Sequence, residues 1–353
     1  MPRLNLFLTG ATGYVGGSVL DHIIKWNASN NWPLHITALA RKQADVATIS
    51  SAYEHDREYF NVVQGSYQDS EILSELVRHA DVVIHTGESA DDKPSATVIA
   101  ENLKPGALLI HTSGTGILVD RAESDQQITR RYDDVDDIKT ITSWPYERHH
   151  RDIDDLILNI HNHKPDVNTI IITPPLIYGI GSGKINYVSK QIPLHIKLNS
   201  ILHKSAIFGT GDAIWSNVHI SDLADFYVLL VQIYLSSPEK LWYNDQGYYF
   251  VENGQHSWKS ITKALDQPLV KYGVIPADKT ANVDTADEVH FTTEELKTSL
   301  SPENYARATS VFSSNSGSVA TRARKLGWVP TKPDVYSTLD EEVKVYTELQ
   351  KQN

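Results

Sequence analysis

The stretch Leu4-Asn5-Leu6-Phe7-Leu8-Thr9-Gly10-Ala11-Thr12-Gly13-Tyr14-Val15-Gly16-Gly17 decides how this chain folds. Leu4 to Leu8 is short and apolar and reads as a buried strand. From Val19 to Trp26 the apolar residues recur at helical spacing. Between them, Gly10, Gly13 and Gly16 occupy a strand-turn-helix junction. Gly10 allows the tight turn, Gly13 lets backbone approach a pyrophosphate, and Gly16 lets helix and strand pack closely. Free N–H groups and the positive end of the dipole at the helix N-terminus complete an anion site. Thr12, Tyr14 and Val15 belong to the same turn and are expected to contact the nucleotide.

Outward from this turn, residues 35–39, 60–64, 81–85, 107–112 and 169–173 read as further strands. Helical patterns over 70–79, 94–102 and 153–161 separate the later ones, and Pro174-Pro175 stops the last. Strands alternating with helices at this spacing predict an α/β fold, a doubly wound parallel sheet of the Rossmann kind. Residues 1–178 are expected to form the dinucleotide-binding domain, with the apolar helix within 218–240 returning to it. Residues 179–217 and 241–353 are assigned to a smaller C-terminal substrate lobe. Asp133-Asp134-Val135-Asp136-Asp137 reads as a solvated loop, because it lacks the glycine turn and terminal Glu of a calcium loop.

Composition narrows the function. The 44 acidic residues outnumber 32 basic ones, for a formal net charge of -12. That balance argues against nucleic-acid or anionic-membrane partners, which need basic patches. No cysteine is present, which excludes disulfides, a thiolate nucleophile and cysteine-ligated metal. His161 and His163, two apart on a helical pattern, point in different directions, and no metal site is expected. The first strand begins at about the fourth residue and no apolar run is long enough to span a bilayer. A cytoplasmic protein is expected.

The Thr9 to Gly16 fingerprint, Asp69 after the third strand, Thr112-Ser113 ending the fifth and Pro175-Leu176-Ile177-Tyr178-Gly179 after the sixth follow one another in order. Val218 to Ala224 and Leu326-Gly327-Trp328-Val329-Pro330 continue the series. Together they resemble the extended short-chain dehydrogenase/reductases, and among these the NAD-dependent epimerase/dehydratase-like proteins. The resemblance implies an active site in the cleft between the Rossmann domain and the lobe. It implies that Asp69 meets the adenine amine, although Asp69 could equally cap the helix that starts at Ser70. His85, Thr86 and Gly87 would line the cofactor, and Pro174 and Tyr178 would contact nicotinamide and substrate. It also admits a homodimer through helices flanking the active-site segment.

Ribose selectivity is read after the second strand, where an acid suits NAD and an Arg accommodates the 2′-phosphate of NADP. This chain has Arg41-Lys42 and no acid before Asp45, so NADP is expected, with NAD as second choice. The alternative is an exposed basic pair without a ligand.

The family's chemistry uses a Tyr acid/base, a Lys four residues later and a Ser or Thr that orients the substrate oxygen. Here Tyr146 aligns with the tyrosine, His150 stands where the lysine should be, and Ser113 precedes Tyr146 by thirty-three residues. Helical spacing of four would put Tyr146 and His150 on one face. Asp154, one turn further, would support a charged imidazole. The expected function is NADP-dependent reduction of a carbonyl in a small or medium-sized, mostly uncharged substrate. The alternatives are an NADP(H)-binding sensor, or a non-redox enzyme on the same fold. Sugar-nucleotide epimerase or dehydratase chemistry is less favoured, because the lobe shows no arginine cluster for a diphosphate.

Overall fold

The structure, a computed structural model, describes residues 3–30, 32–119, 130–280, 290–291 and 293–352. Its first half alternates as expected: β1 (Leu4–Thr9), α1 (Tyr14–Asn30), β2 (Leu34–Ala40), α2 (Gln43–Ala52), β3 (Phe60–Gln64), α3 (Ser70–His79), β4 (Val82–His85), α4 (Lys93–Asn102) and β5 (Leu108–Thr112). There follow β6 (Arg131–Asp133), α5 (Ile138–Thr142), α6 (Arg151–Leu158), β7 (Asn168–Thr173), β8 (Leu176–Tyr178), α7 (Gln191–Leu202), β9 (Ile207–Phe208), β10 (Ile214–His219) and α8 (Ile220–Ser236). The remainder holds β11 (Tyr248–Phe250), β12 (Gln255–Ser257), α9 (Trp258–Lys271), β13 (His290–Phe291), α10 (Thr293–Ser299), α11 (Pro302–Phe312), β14 (Gly317–Val319), α12 (Thr321–Lys325) and α13 (Val335–Gln352).

Seven strands form one sheet in the order β11-β7-β5-β4-β1-β2-β3, every pair parallel. Strands buried on both faces must be nearly continuous apolar runs, and Val82, Val83 and Ile84 of β4 and Leu108, Leu109 and Ile110 of β5 are fully buried. Strand order reverses between β1 and β4. Their C-terminal ends therefore open a crevice at the switch point, where ligands of such sheets bind.

Two apolar cores divide the molecule. One packs the sheet against its helices and includes Ile220, Leu223 and Phe226 of α8, which lies against α1. The other gathers Leu176, Ile192, Trp215, Trp258, Phe312 and Leu339. The partition corrects one expected boundary: β11, at 248–250, is the edge strand of the large sheet, and Ala320, Ala323 and Trp328 also pack on the first core. Those segments were assigned to the lobe from loosened periodicity, which cannot reveal a three-residue strand completing a distant sheet edge.

The acidic run is also not simply a solvated loop. Asp134 is fully buried and accepts hydrogen bonds from the backbone N–H groups of Phe250 (2.9 Å) and Arg322 (3.0 Å). It ties β11 and α12 to the segment after β6.

Candidate active site

The glycine turn sits between β1 and α1 as its sequence dictates. Gly10 has φ of 78°, a conformation L side chains rarely adopt, and a Cβ there would lie 2.5 Å from Thr86 Oγ1. A Cβ on Gly16 would lie 2.2 Å from the carbonyl oxygen of Gly10. Thr9 fastens the turn to β4: its Oγ1 accepts from the N–H of Thr86 (3.2 Å) and Gly87 (3.3 Å), and Thr86 Oγ1 donates to Thr9 O at 2.7 Å.

A cavity of about 490 Å³ opens above this turn. Gly10, Thr12, Gly13, Tyr14, Val15, Gly16, Arg41, Thr86, Gly87, Ser113 and Pro174 line it, as expected. The wall also includes residues that sequence reasoning missed, among them Tyr67, Ser89, Asp91, Asn186, Lys190 and Gln191. Tyr67, Ser89 and Asp91 come from the loops after β3 and β4, whose sequence carries no period, and the folding of 186–191 across the crevice brings in Asn186, Lys190 and Gln191.

The donor set fits a dinucleotide. The glycines leave room for backbone to meet a pyrophosphate, the first turn of α1 carries no acid, and Arg41 stands at the end of β2. These residues would hold NAD or NADP, whose nicotinamide would supply hydride chemistry when bound.

Several expected residues lie elsewhere. Lys42 is exposed at the start of α2 and does not line the cavity. Asp69 is also off the wall, and its carboxylate accepts from the N–H of Glu71 (3.1 Å) and Ile72 (3.3 Å) as the N-cap of α3. His85 is fully buried beneath the turn with Nδ1 2.8 Å from Thr9 Oγ1, and burial drives its pKa down to about 3. It is a neutral strut under the nucleotide turn. Tyr178 is fully buried and its hydroxyl donates to Pro333 O at 2.8 Å, inside the second core. His85 and Tyr178 are adjacent in sequence to residues of the cavity wall, but alternation along a strand points them away, whereas Lys42 and Asp69 are taken up by the starts of α2 and α3.

Tyr146 requires a larger correction. It lies in a turn before α6, 60% exposed, and its hydroxyl donates to Asp155 at 3.0 Å. The helix begins only at Arg151, after His150 with φ of 65°. A left-handed residue cannot continue a helix, so the expected i,i+4 pairing of Tyr146 with His150 does not form. Tyr146 does not line the cavity.

His150 does approach it. Its Nδ1 is 3.0 Å from Asp91 Oδ1 and 3.2 Å from Ala90 O, both residues of the cavity wall. Its Nε2 faces Gly114, where a Cβ would be only 3.3 Å away. Burial disfavours the imidazolium, but Asp91, then Asp154, outweigh it and raise the pKa above the ordinary histidine value. His149 Nδ1 also comes within 3.9 Å of Asp91, although its side chain is 70% exposed.

Ser113 follows β5 on the cavity wall, nearly buried, with Oγ sealed from solvent and without a hydrogen bond of good geometry. The site is therefore a nucleotide-sized crevice at the switch point of a parallel sheet, with a serine on its wall and a paired histidine just behind that wall. That combination defines a dinucleotide-binding α/β protein of the extended short-chain dehydrogenase/reductase kind.

Residues 6–244 match the NAD dependent epimerase/dehydratase family, and the chain belongs to it. It is 28% identical to "Oxidase ucsJ" of Acremonium sp over 303 residues, covering 80% of this chain and 83% of that protein. It is 23% identical to the uncharacterized protein YLL056C of Saccharomyces cerevisiae over 240 residues, 65% of this chain and 71% of that one. Among solved structures, yeast methylglyoxal/isovaleraldehyde reductase Gre2 with NADPH superposes at a TM-score of 0.64. The match spans 99% of this chain and 100% of Gre2, at 12% identity. DesIV, a dTDP-glucose 4,6-dehydratase of Streptomyces venezuelae with NAD and TYD bound, gives 0.62 at 15% identity, over 99% of this chain and 98% of that one. At these identities the likeness is one of fold.

Proposed function

We propose that this protein is an NADP(H)-dependent oxidoreductase that reduces the carbonyl of a small or medium-sized, mostly uncharged substrate. The observation that carries the reading is a crevice lined by the glycine turn, Arg41 and Ser113, with His150 just behind its wall and paired with Asp91 of that wall. Ser113 would donate to the carbonyl oxygen. His150, and not Tyr146, would deliver the proton, because it pairs with Asp91 of the cavity wall and its Nε2 lies against Gly114 of that wall, whereas Tyr146 stays outside. The carbonyl carbon gains a hydride, its oxygen gains the imidazolium proton, and the product is an alcohol. Asp91, 62% exposed, would hold the imidazole by Nδ1 and let solvent restore the proton.

The test is titration of the protein with NADPH and NADH, followed by NADPH oxidation across a panel of aldehydes and ketones. NADPH should bind more tightly than NADH. His150→Ala should cut turnover by about 10²-fold or more, the usual worth of a positioned proton donor, whereas Tyr146→Phe should leave it nearly unchanged. Turnover that survives His150→Ala removes the proposed donor. Tight binding with no turnover on any carbonyl would favour the nucleotide sensor instead.

A further inference from the structure

Beneath the cavity floor lies a set of buried polar groups that this reaction scheme leaves unused. Asp154, in the first turn of α6, is 1% exposed. Its Oδ2 accepts from the Tyr248 hydroxyl at 2.9 Å, and Tyr248 is fully buried in β11. Its Oδ1 and the neighbouring Ser113 Oγ make no hydrogen bond of good geometry, although the Ser113 hydroxyl lies close enough to favour the ionised carboxylate. Asp154 also donates its backbone N–H to His150 O at 2.9 Å, which fixes α6 to the left-handed residue before it. An isolated carboxylate in such a place is costly, and buried polar groups without partners concentrate where a fold serves function.

We infer that Asp154, pinned from below by Tyr248, is the buried positioning residue of the site, acting through Ser113 on one side and His150 on the other. This rests on the reading of Ser113 and His150 as the groups that meet the substrate oxygen. Asp91 and Asp154 then both favour the charged form of one imidazole, Asp91 open to solvent and Asp154 sealed from it. The free Oδ1 of Asp154 also sets how the Ser113 hydroxyl turns. Tyr248 keeps Oδ2 occupied, so that only Oδ1 is offered upward.

The groups facing this unit can be named. His150 and Arg151 come from its own segment, Ser113 and His111 from β5 and its end, Thr173 from β7, Tyr248 from β11, and Asp91 from the loop after β4. His111 is buried with both ring nitrogens unpartnered, and burial, then His85 and His150, press its pKa well down. It stays neutral and adds no competing charge. Burial raises the Asp154 pKa to about 6, opposed by Ser113, His150 and Tyr248, so the carboxylate is mostly ionised at neutral pH.

The test is an NMR titration of the His150 imidazole in the whole protein, wild type against Asp154→Asn, Tyr248→Phe and Asp91→Asn. Each variant is first checked for fold by its affinity for NADPH. Asp154→Asn should lower the His150 titration midpoint by about one pH unit, the scale on which a nearby carboxylate acts. Tyr248→Phe should lower it less, because the carboxylate survives but loses its donor. A midpoint unmoved by Asp154→Asn in a variant that still binds NADPH overturns the inference. If the midpoint moves but the descending limb of the pH–rate profile does not follow, Asp154 still acts on His150 and the proton-donor assignment is the part that fails. Asp154→Leu tests packing alone: it should match Asp154→Asn in the titration, and a midpoint like that of wild type would also overturn the inference.

Discussion

At the residue scale, the proposed choice of NADP rests on one side chain. Arg41 lies where β2 ends and reaches the cavity wall, while its neighbour Lys42 points into solvent. A guanidinium on a 2′-phosphate makes charge-assisted, often bidentate hydrogen bonds. Arg41→Ala should therefore weaken NADPH binding by about 10- to 100-fold, the equivalent of roughly 1.5–3 kcal/mol, and leave NADH nearly unaffected. Calorimetric titration with each nucleotide checks this, and equal losses for both would assign Arg41 to general steering. The same scale explains why Tyr146 misled the sequence reading. Its spacing to His150 was right, and one backbone angle at His150 voided the helical geometry that gave the spacing meaning.

At the element scale, caps and clasps account for residues that motif reading had given to ligands. Asp69 satisfies two otherwise unpaired N–H groups of α3, and α3 needs them because its first turn is exposed. Asp69→Ala should cost about 1 kcal/mol of stability, a lowering of the melting temperature by about 2 °C in a chain of this size, with NADPH affinity unchanged. Lost affinity at unchanged stability would restore the adenine role. Two other motifs prove to hold each other: Trp328 Nε1 donates to Asp222 O at 2.9 Å and the Thr331 N–H donates to Asp222 Oδ1 at 2.8 Å. The segment of Leu326 to Pro330 thereby docks the chain's last hundred residues onto the start of α8.

At the scale of the whole molecule, one buried carboxylate joins the two cores beside the crevice. Glu342 of α13 accepts from the Gly179 N–H (2.9 Å) and the Ser189 hydroxyl (2.9 Å), while the Tyr14 hydroxyl from the nucleotide turn donates to Gly179 O at 2.6 Å. Burial lifts the Glu342 pKa to about 7 against those hydrogen bonds. A raised carboxyl keeps its proton when folded and loses it when unfolded, so its contribution is complete below about pH 4.5 and is lost as pH climbs through 7. Thermal unfolding of wild type minus Glu342→Gln should show that loss, on the order of 3 kcal/mol, between about pH 4.5 and 7. A pH-independent difference would mean that Glu342 is ionised in the fold. Among the described residues no helix is long and apolar enough to cross a membrane.

The sequence by itself determined the parallel sheet, the nucleotide turn and its place at the head of α1, since each follows from local periodicity and from glycines that permit close backbone approach. It also placed Arg41, Ser113 and His150 within reach of the crevice. Only the tertiary structure decided which neighbours of these residues face inward, because a strand sends adjacent side chains to opposite faces: Thr86 lines the cavity while His85 supports it, and Ile177 lines it while Tyr178 is buried. Only the tertiary structure, too, brought Asp91 to His150 and Tyr248 to Asp154. Those groups come from three segments separated by as many as 157 positions (Asp91 to Tyr248). No local pattern records such contacts, since the electrostatics of a buried imidazole depend on what the packed fold sets beside it.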